Sequence, residues 1–349
     1  MRAATLLCLV AIAGAGVAHA QTPAVPTFHA EAGWQKPLPN KWTIGQVSWV
    51  AIDSHDHVWV LHRQKSVVVT PDAIAAPPVV EFDAQGAFVQ AWGGPGDGYQ
   101  WPLNEHALTV LDDGSVWISG SGVGDSQLLK FTSGGKFLMA IGKPGQKPDN
   151  ADTAGVNRAA SIWVNRAANE MFVADGEGGN RRVIVFDATT GAHKRHWGAY
   201  GKEPDDTPPP AYDPAQVSRV FSTGVHCAYQ TKDGLVYVCD RGNDRIQVFR
   251  PDGTFVKEAV VAGDTRGVGS ACDLAFSPDQ RLIYLVDGVN NKLWILNRES
   301  LAVAGSFGGV GAQPGQFNNV HSVATDSKGN IYTTEVGDGR RIQKFVPNP

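Results

Sequence analysis

Three histidines stand at one position of an internal repeat. Counting eight residues back from Gly114, Gly234 and Gly329, each of which ends a turn, lands on His106, His226 and His321. The matching positions in the other three repeats are Ser48, Ser161 and Cys272. The six repeats therefore read Ser, His, Ser, His, Cys, His, with a histidine on every second one. One histidine at a strand start reads as a satisfied polar residue. Three in register read as a ligand set, because three imidazoles with a fourth direction left open form a catalytic type of zinc site. Iron, copper or nickel would accept the same donors, so another divalent transition metal suits the set too. His29, His55, His57, His62, His193 and His196 lack this register.

Two arginines share a second repeat position, Arg63 in Leu61-His62-Arg63 and Arg241 in Cys239-Asp240-Arg241. A guanidinium offers a planar fork suited to a carboxylate. One such arginine would read as a surface ion pair, whereas two on the histidine side point to recognition of an anion. Glu177, in Asp175-Gly176-Glu177, falls at the corresponding end of the third repeat, where a carboxylate could act as a general base.

The element that must position these residues is a short strand. Phe221–Phe249 and Phe317–Phe345 align as an apolar strand, a turn, a second strand, a polar loop and R-I-Q-x-F. Weaker copies begin near Val47, Trp101, Ala159 and Val268, with Asn180–Phe186 and Lys292–Leu296 as third strands in two of them. Phe88–Gly93, Phe137–Gly142, His193–Gly198 and Val303–Gly308 add a fourth apolar segment with a glycine end. Four strands at a spacing of about 40–60 residues are one blade of a propeller. The sixth copy stops after its third strand, at Val346-Pro347, while Phe28–Gly33 has the pattern of the missing fourth. The expected fold is all-β, a six-bladed propeller whose last blade is closed by an N-terminal strand pairing near Arg341–Phe345. Closure of this kind pairs an otherwise open sheet edge. On this ring the histidines begin the innermost strands, beside the central channel.

Met1-Arg2, an apolar run from Ala3 to Val17 and Ala18-His19-Ala20 have the pattern of a secretory signal peptide, with residues 21–349 as a single propeller domain. Cys8 lies inside the apolar run rather than at the cleavage point, so a lipid anchor is not expected. The run is short for a membrane span, and the mature chain is expected to be soluble, periplasmic or secreted. A formal net charge of -4 and the lack of a basic run argue against a nucleic-acid partner. Of the three later cysteines, Cys227 and Cys239 lie on segments joined by Lys232-Asp233-Gly234 and could face each other across a hairpin. The alternative is three small buried thiols. The proline-rich, acidic stretch Ala199–Ser218 between repeats three and four reads equally as a lid or as a tolerated insertion.

The repeats resemble NHL repeats. The set His106, Arg63, His226, Arg241 and His321 resembles the peptidyl-α-hydroxyglycine α-amidating lyases (peptidylamidoglycolate lyases). The similarity runs over all six repeats and is strongest in Val60–Arg63, Val225–Phe249 and Val320–Phe345. It implies a zinc ion on the three histidines and two arginines around a small-molecule or peptide substrate with a carboxylate. The implied reaction breaks a carbinolamide C–N bond to give an amide and glyoxylate. Two positions depart from the family. Glu177 stands where it has a catalytic tyrosine, and Ser322 follows the third histidine where it has a carboxylate on a structural calcium. Two other readings stay open: a lactonase-like metal-dependent hydrolase, and a non-catalytic propeller that only presents a face to partners. Oligomeric state is not legible at this level.

Overall fold

The structure, a computed structural model, describes residues 25–207, 211–216, 218–265 and 267–349. The signal-peptide expectation for residues 1–20 lies outside the described residues, as does part of the Ala199–Ser218 stretch. Six four-stranded antiparallel sheets are arranged around one axis, with the first strand of each at the centre. The innermost strands are Gln46–Ile52, Glu105–Val110, Ser161–Asn165, Val225–Gln230, Asp273–Phe276 and Val320–Thr325. In five blades the strands run outward in chain order. In the sixth, Phe28–Ala30 supplies the outer strand, beside Ile342–Pro347.

The expected closure is therefore present. Phe28 pairs with Pro347 and Ala30 with Phe345. The ordered strand is only three residues long, because the chain turns away beyond Ala30 to bury Trp34. Phe28 fixes the register by packing on Phe307 and Tyr284 of the neighbouring blade.

The two faces of the ring differ. On one, the strands are joined by turns of four or five residues such as 111–115, 231–235 and 326–330. The other carries the blade-to-blade connections 93–104, 142–160, 198–224, 261–272 and 309–319, and it is where the innermost strands begin. Long loops over a rigid scaffold are where binding groups gather.

Buried ion pairs hold these loops in place. Asp175 pairs with Arg182 at 2.9 Å, Asp240 with Arg245 at 2.7 Å and Glu335 with Arg341 at 2.6 Å. In each pair an acid ending the second strand meets the arginine that opens the R-I-Q-type third strand or its equivalent. The same carboxylates accept the backbone N–H of Asn157, Ser222 and Asn318, just ahead of an innermost strand. Removing one partner would leave a buried charge uncompensated, at a cost of about 3–5 kcal/mol. The pairs set the entry angle of the innermost strands of blades three, four and six.

Cys227 and Cys239 are directly opposite on adjacent strands and joined by a disulfide, while Cys272 is a buried free thiol. His62 is buried in the second strand of blade one. Its Nδ1 accepts the Gly45 N–H at 3.2 Å and its Nε2–H donates to the Pro77 carbonyl at 3.1 Å. A second proton on Nδ1 would meet the Gly45 N–H, and burial pushes the imidazole down to about 4. The unfolded chain takes up this proton near 6.5 and the folded chain only near 4, so stability falls as pH drops through that window. The full effect is roughly 3 kcal/mol. Urea midpoints for wild type and His62→Gln should diverge in their pH dependence between pH 7 and 4.5. Parallel curves would show that His62 does not titrate with unfolding.

Candidate functional site

Each of the three histidines is the second residue of its innermost strand. Each is also the extra residue of a β-bulge: the pairing skips from Glu105 to Ala107, from Val225 to Cys227 and from Val320 to Ser322. A bulge breaks the two-residue alternation and re-aims one side chain. Here it turns each imidazole toward the axis. Ser48 occupies the same kind of bulge in blade one, whereas in blades three and five the pairing shows no such shift.

The rings converge. Their centroids lie 5.0 Å apart for His106 and His226, and 5.1 Å for each of the other two pairs. One ring nitrogen from each lies within 4.8 Å of the other two. His106 Nδ1 donates to the Ala160 carbonyl at 3.0 Å and His321 Nδ1 to the Ser48 carbonyl at 2.8 Å, each from the following blade. His226 Nδ1 faces Cys272 Sγ at 3.8 Å, again on the following blade. With Nδ1 taken up as donor, the lone pair is on Nε2. His226 Nε2 is buried without a hydrogen-bond partner. Burial pushes His106 down to about 3, with the Arg63 charge adding to it, and holds His226 and His321 well below their ordinary value. Three neutral imidazoles with oriented second nitrogens fit a transition-metal ion. Trp49 lies below them, its ring 5.8, 6.2 and 6.3 Å from His106, His226 and His321, and forms the floor of the site. Beyond Trp49 lies a cavity of about 510 Å³ lined by Ile162, Leu274, Phe276 and Val323, with Lys232 and Asp326 among its polar groups.

The charged residues read from the sequence reach the same place. Arg241 Nη2 donates to Glu177 Oε1 at 2.8 Å, and that oxygen is 3.8 Å from His226 Nε2. Arg63 donates from Nη1 to Gln46 Oε1 at 2.8 Å and from Nε to the Glu105 carbonyl at 3.3 Å. Its charge also acts on His106 and His321. Glu177 sits one residue past the repeat position of the arginines, and its side chain is 16% exposed, enough to meet a ligand from the open side.

Sequence reasoning missed Trp49, Cys272 as a neighbour of His226, and Arg158. Trp49 follows the bulge residue Ser48 and could have been found by extending the repeat count by one. A second cluster, Asp53, His57 and Glu81, is already saturated. Asp53 accepts the His55 and His57 N–H groups and the Trp59 indole, and Glu81 accepts His57 Nδ1 at 2.6 Å. Beside Ser322, the Asp273 carboxylate accepts the Tyr229 hydroxyl at 2.7 Å and the Val323 N–H at 3.0 Å.

Fold and site together define a six-bladed β-propeller with a histidine cluster on its axis. The family model described as "Lactonase, 7-bladed beta-propeller" matches residues 142–337, more than half of the chain, and the chain belongs to that propeller family; its own ring has six blades. NHL repeat-containing protein 3 of Homo sapiens is 27% identical over 92% of this chain and 84% of its own length. The Mus musculus protein of the same name is 27% identical over 92% of this chain and 85% of its own. Among solved structures, a structural genomics protein of unknown function from Bacteroides thetaiotaomicron superposes with a TM-score of 0.57 at 15% identity, over 88% of this chain and 70% of that one. A catalytically inactive virginiamycin B lyase from Staphylococcus aureus, with quinupristin, gives 0.53 at 14% identity, over 93% and 89%. At such identities these two likenesses concern the fold alone.

Proposed function

We propose that the chain is an exported, zinc-dependent lyase that cleaves a carbinolamide C–N bond, releasing an amide and glyoxylate. The observation that carries the reading is the set of three bulge-borne imidazoles with Nε2 turned to one point on the loop-rich face. The paired Cys227 and Cys239 support export, since such bonds persist in oxidising compartments. When bound, a zinc ion supplies a Lewis acid that lowers the pKa of a nearby hydroxyl. His106, His226 and His321 would hold it. Arg63 and Arg241 orient the substrate carboxylate, which fixes the bond to be broken relative to the metal. Glu177, steered by Arg241, takes the proton of the carbinol hydroxyl. The carbinol carbon becomes the aldehyde carbon of glyoxylate as its C–N bond breaks, and the nitrogen regains a proton to complete the amide. Nothing is oxidised or reduced. Trp49 stands between the three imidazoles and the channel cavity, on the side away from the mouth.

Incubation of zinc-loaded protein with an α-hydroxyglycine-terminated peptide should release glyoxylate well above the spontaneous background. Release no faster than background, with zinc fully loaded, would leave the metal site standing and discard the reaction. Hydrolysis of a lactone by the same sample would move the reading to a hydrolase on this scaffold.

A further inference from the structure

The position that carries Arg63 and Arg241 lies five residues after the start of the second strand, counted from Val58 and Val236. The same count from Val116 in blade two gives Ser121, which has no charge to offer. Yet a guanidinium is there. Arg158, in the loop leading into blade three, donates from Nε to the Ser121 carbonyl at 2.5 Å. Arg158 is half-buried, and its two terminal nitrogens make no hydrogen bond within the described residues. Arg241 gives Nη2 to Glu177 while its Nε is buried without a partner, and Arg63 gives one nitrogen to Gln46 and one to the Glu105 carbonyl.

The backbone holds Arg158 in place at a cost. Its φ is +62°, a left-handed conformation that residues other than glycine adopt uncommonly. Its N–H is bound by the Asp125 carbonyl, and its carbonyl accepts the Glu177 N–H at 3.2 Å. Strain of this kind persists where the surroundings over-determine it and clusters at ligand-binding sites. The carboxylate closest in sequence to Ser121, Asp125, does not take the guanidinium, because its oxygens are filled by the N–H groups of Leu103, Asn104 and Gly122. The charge of Arg158 is near enough to His106 to oppose its protonation.

We propose that Arg158 is a specificity-determining residue of this site: its free guanidinium edge joins Arg63 and Arg241 in binding the carboxylate of the substrate. Glu177 stands against Arg241, Glu105 near Arg63 and Asp125 near Arg158, but Glu105 and Asp125 are buried and hydrogen-bonded elsewhere, so a small anionic ligand at the mouth meets guanidinium edges. The proposal rests on the reading that this face receives the substrate, and not on which bond is cut.

The test is calorimetric binding of hippurate, an acylglycine without a cleavable carbinol, to zinc-loaded protein, with neutral hippuramide as control and succinate as a second carboxylate. Wild type should bind the carboxylates and not the amide. Arg158→Gly, which accepts a positive φ and removes only the side chain, should weaken binding by about 10- to 100-fold, the loss of one or two charge-assisted hydrogen bonds. Arg158→Lys should recover part of it. Zinc content and thermal midpoint should match wild type in both variants. Unchanged binding in Arg158→Gly, equal binding of hippuramide, no carboxylate binding by wild type, or loss of zinc in parallel with loss of binding would each overturn the proposal. Glyoxylate release is read separately, so its absence bears on the reaction and not on Arg158.

Discussion

His226→Ala is expected to purify with little or no bound metal while keeping the propeller intact. His226 Nε2 is buried without a partner, so alanine forfeits only the Nδ1 contact to Cys272 Sγ at 3.8 Å. The bulge that carries it is set by the pairing of Val225 with Asp240 and of Cys227 with Cys239. His106→Ala and His321→Ala should behave alike, because all three rings are equivalent by geometry, with centroids 5.0–5.1 Å apart. Elemental analysis gives the first readout. Thermal unfolding with and without added zinc gives the second. Wild type should be stabilised by about 2.7 kcal/mol at a free zinc concentration a hundred times Kd, and each variant by much less. Turnover should fall by more than about 100-fold, since even outer-shell changes around a metal reach that size. Full metal occupancy in all three variants would remove the site from consideration.

Much of the fold was legible because a propeller repeats itself. The R-I-Q-x-F segments and glycine-ended outer strands each recur at a fixed offset, and the truncated sixth repeat announces its own closure. The histidines were legible for the same reason, as a register seen three times. What was hidden depends on contacts between repeats. The bulge at each histidine is a pairing irregularity, invisible without the partner strand. The Asp–Arg pairs look in sequence like loop charges, but Asp175, Arg182, Asp240 and Arg245 are buried and pin the loops. Arg158 belongs to no repeat position of its own, and it reaches the site by standing in for a residue of the previous blade. The Cys227–Cys239 pairing was open in the sequence because a hairpin turn fixes which strands are adjacent but not which residues face each other.

Glu177→Gln is expected to produce the sharpest loss of turnover without loss of metal. The substitution keeps the shape and the contact to Arg241 Nη2 at 2.8 Å, and removes only the ability to take a proton. Loss of a positioned general base costs about 10²–10⁴ in rate. Glu177→Tyr, which restores the residue type of the amidating lyases this site resembles, should keep more activity than Glu177→Gln. Arg241→Ala removes the group that steers Glu177 and leaves that carboxylate facing His226 Nε2 across 3.8 Å. Its cost should be about 2–5 kcal/mol in kcat/KM, the range for breaking a buried charge pair. The two residues act as one unit, so the double variant should lose far less than the sum of the two singles. That non-additivity separates a working Glu177–Arg241 pair from two independent surface charges, which would add. Strict additivity, or a neutral Glu177→Gln, would mean that another group removes the proton.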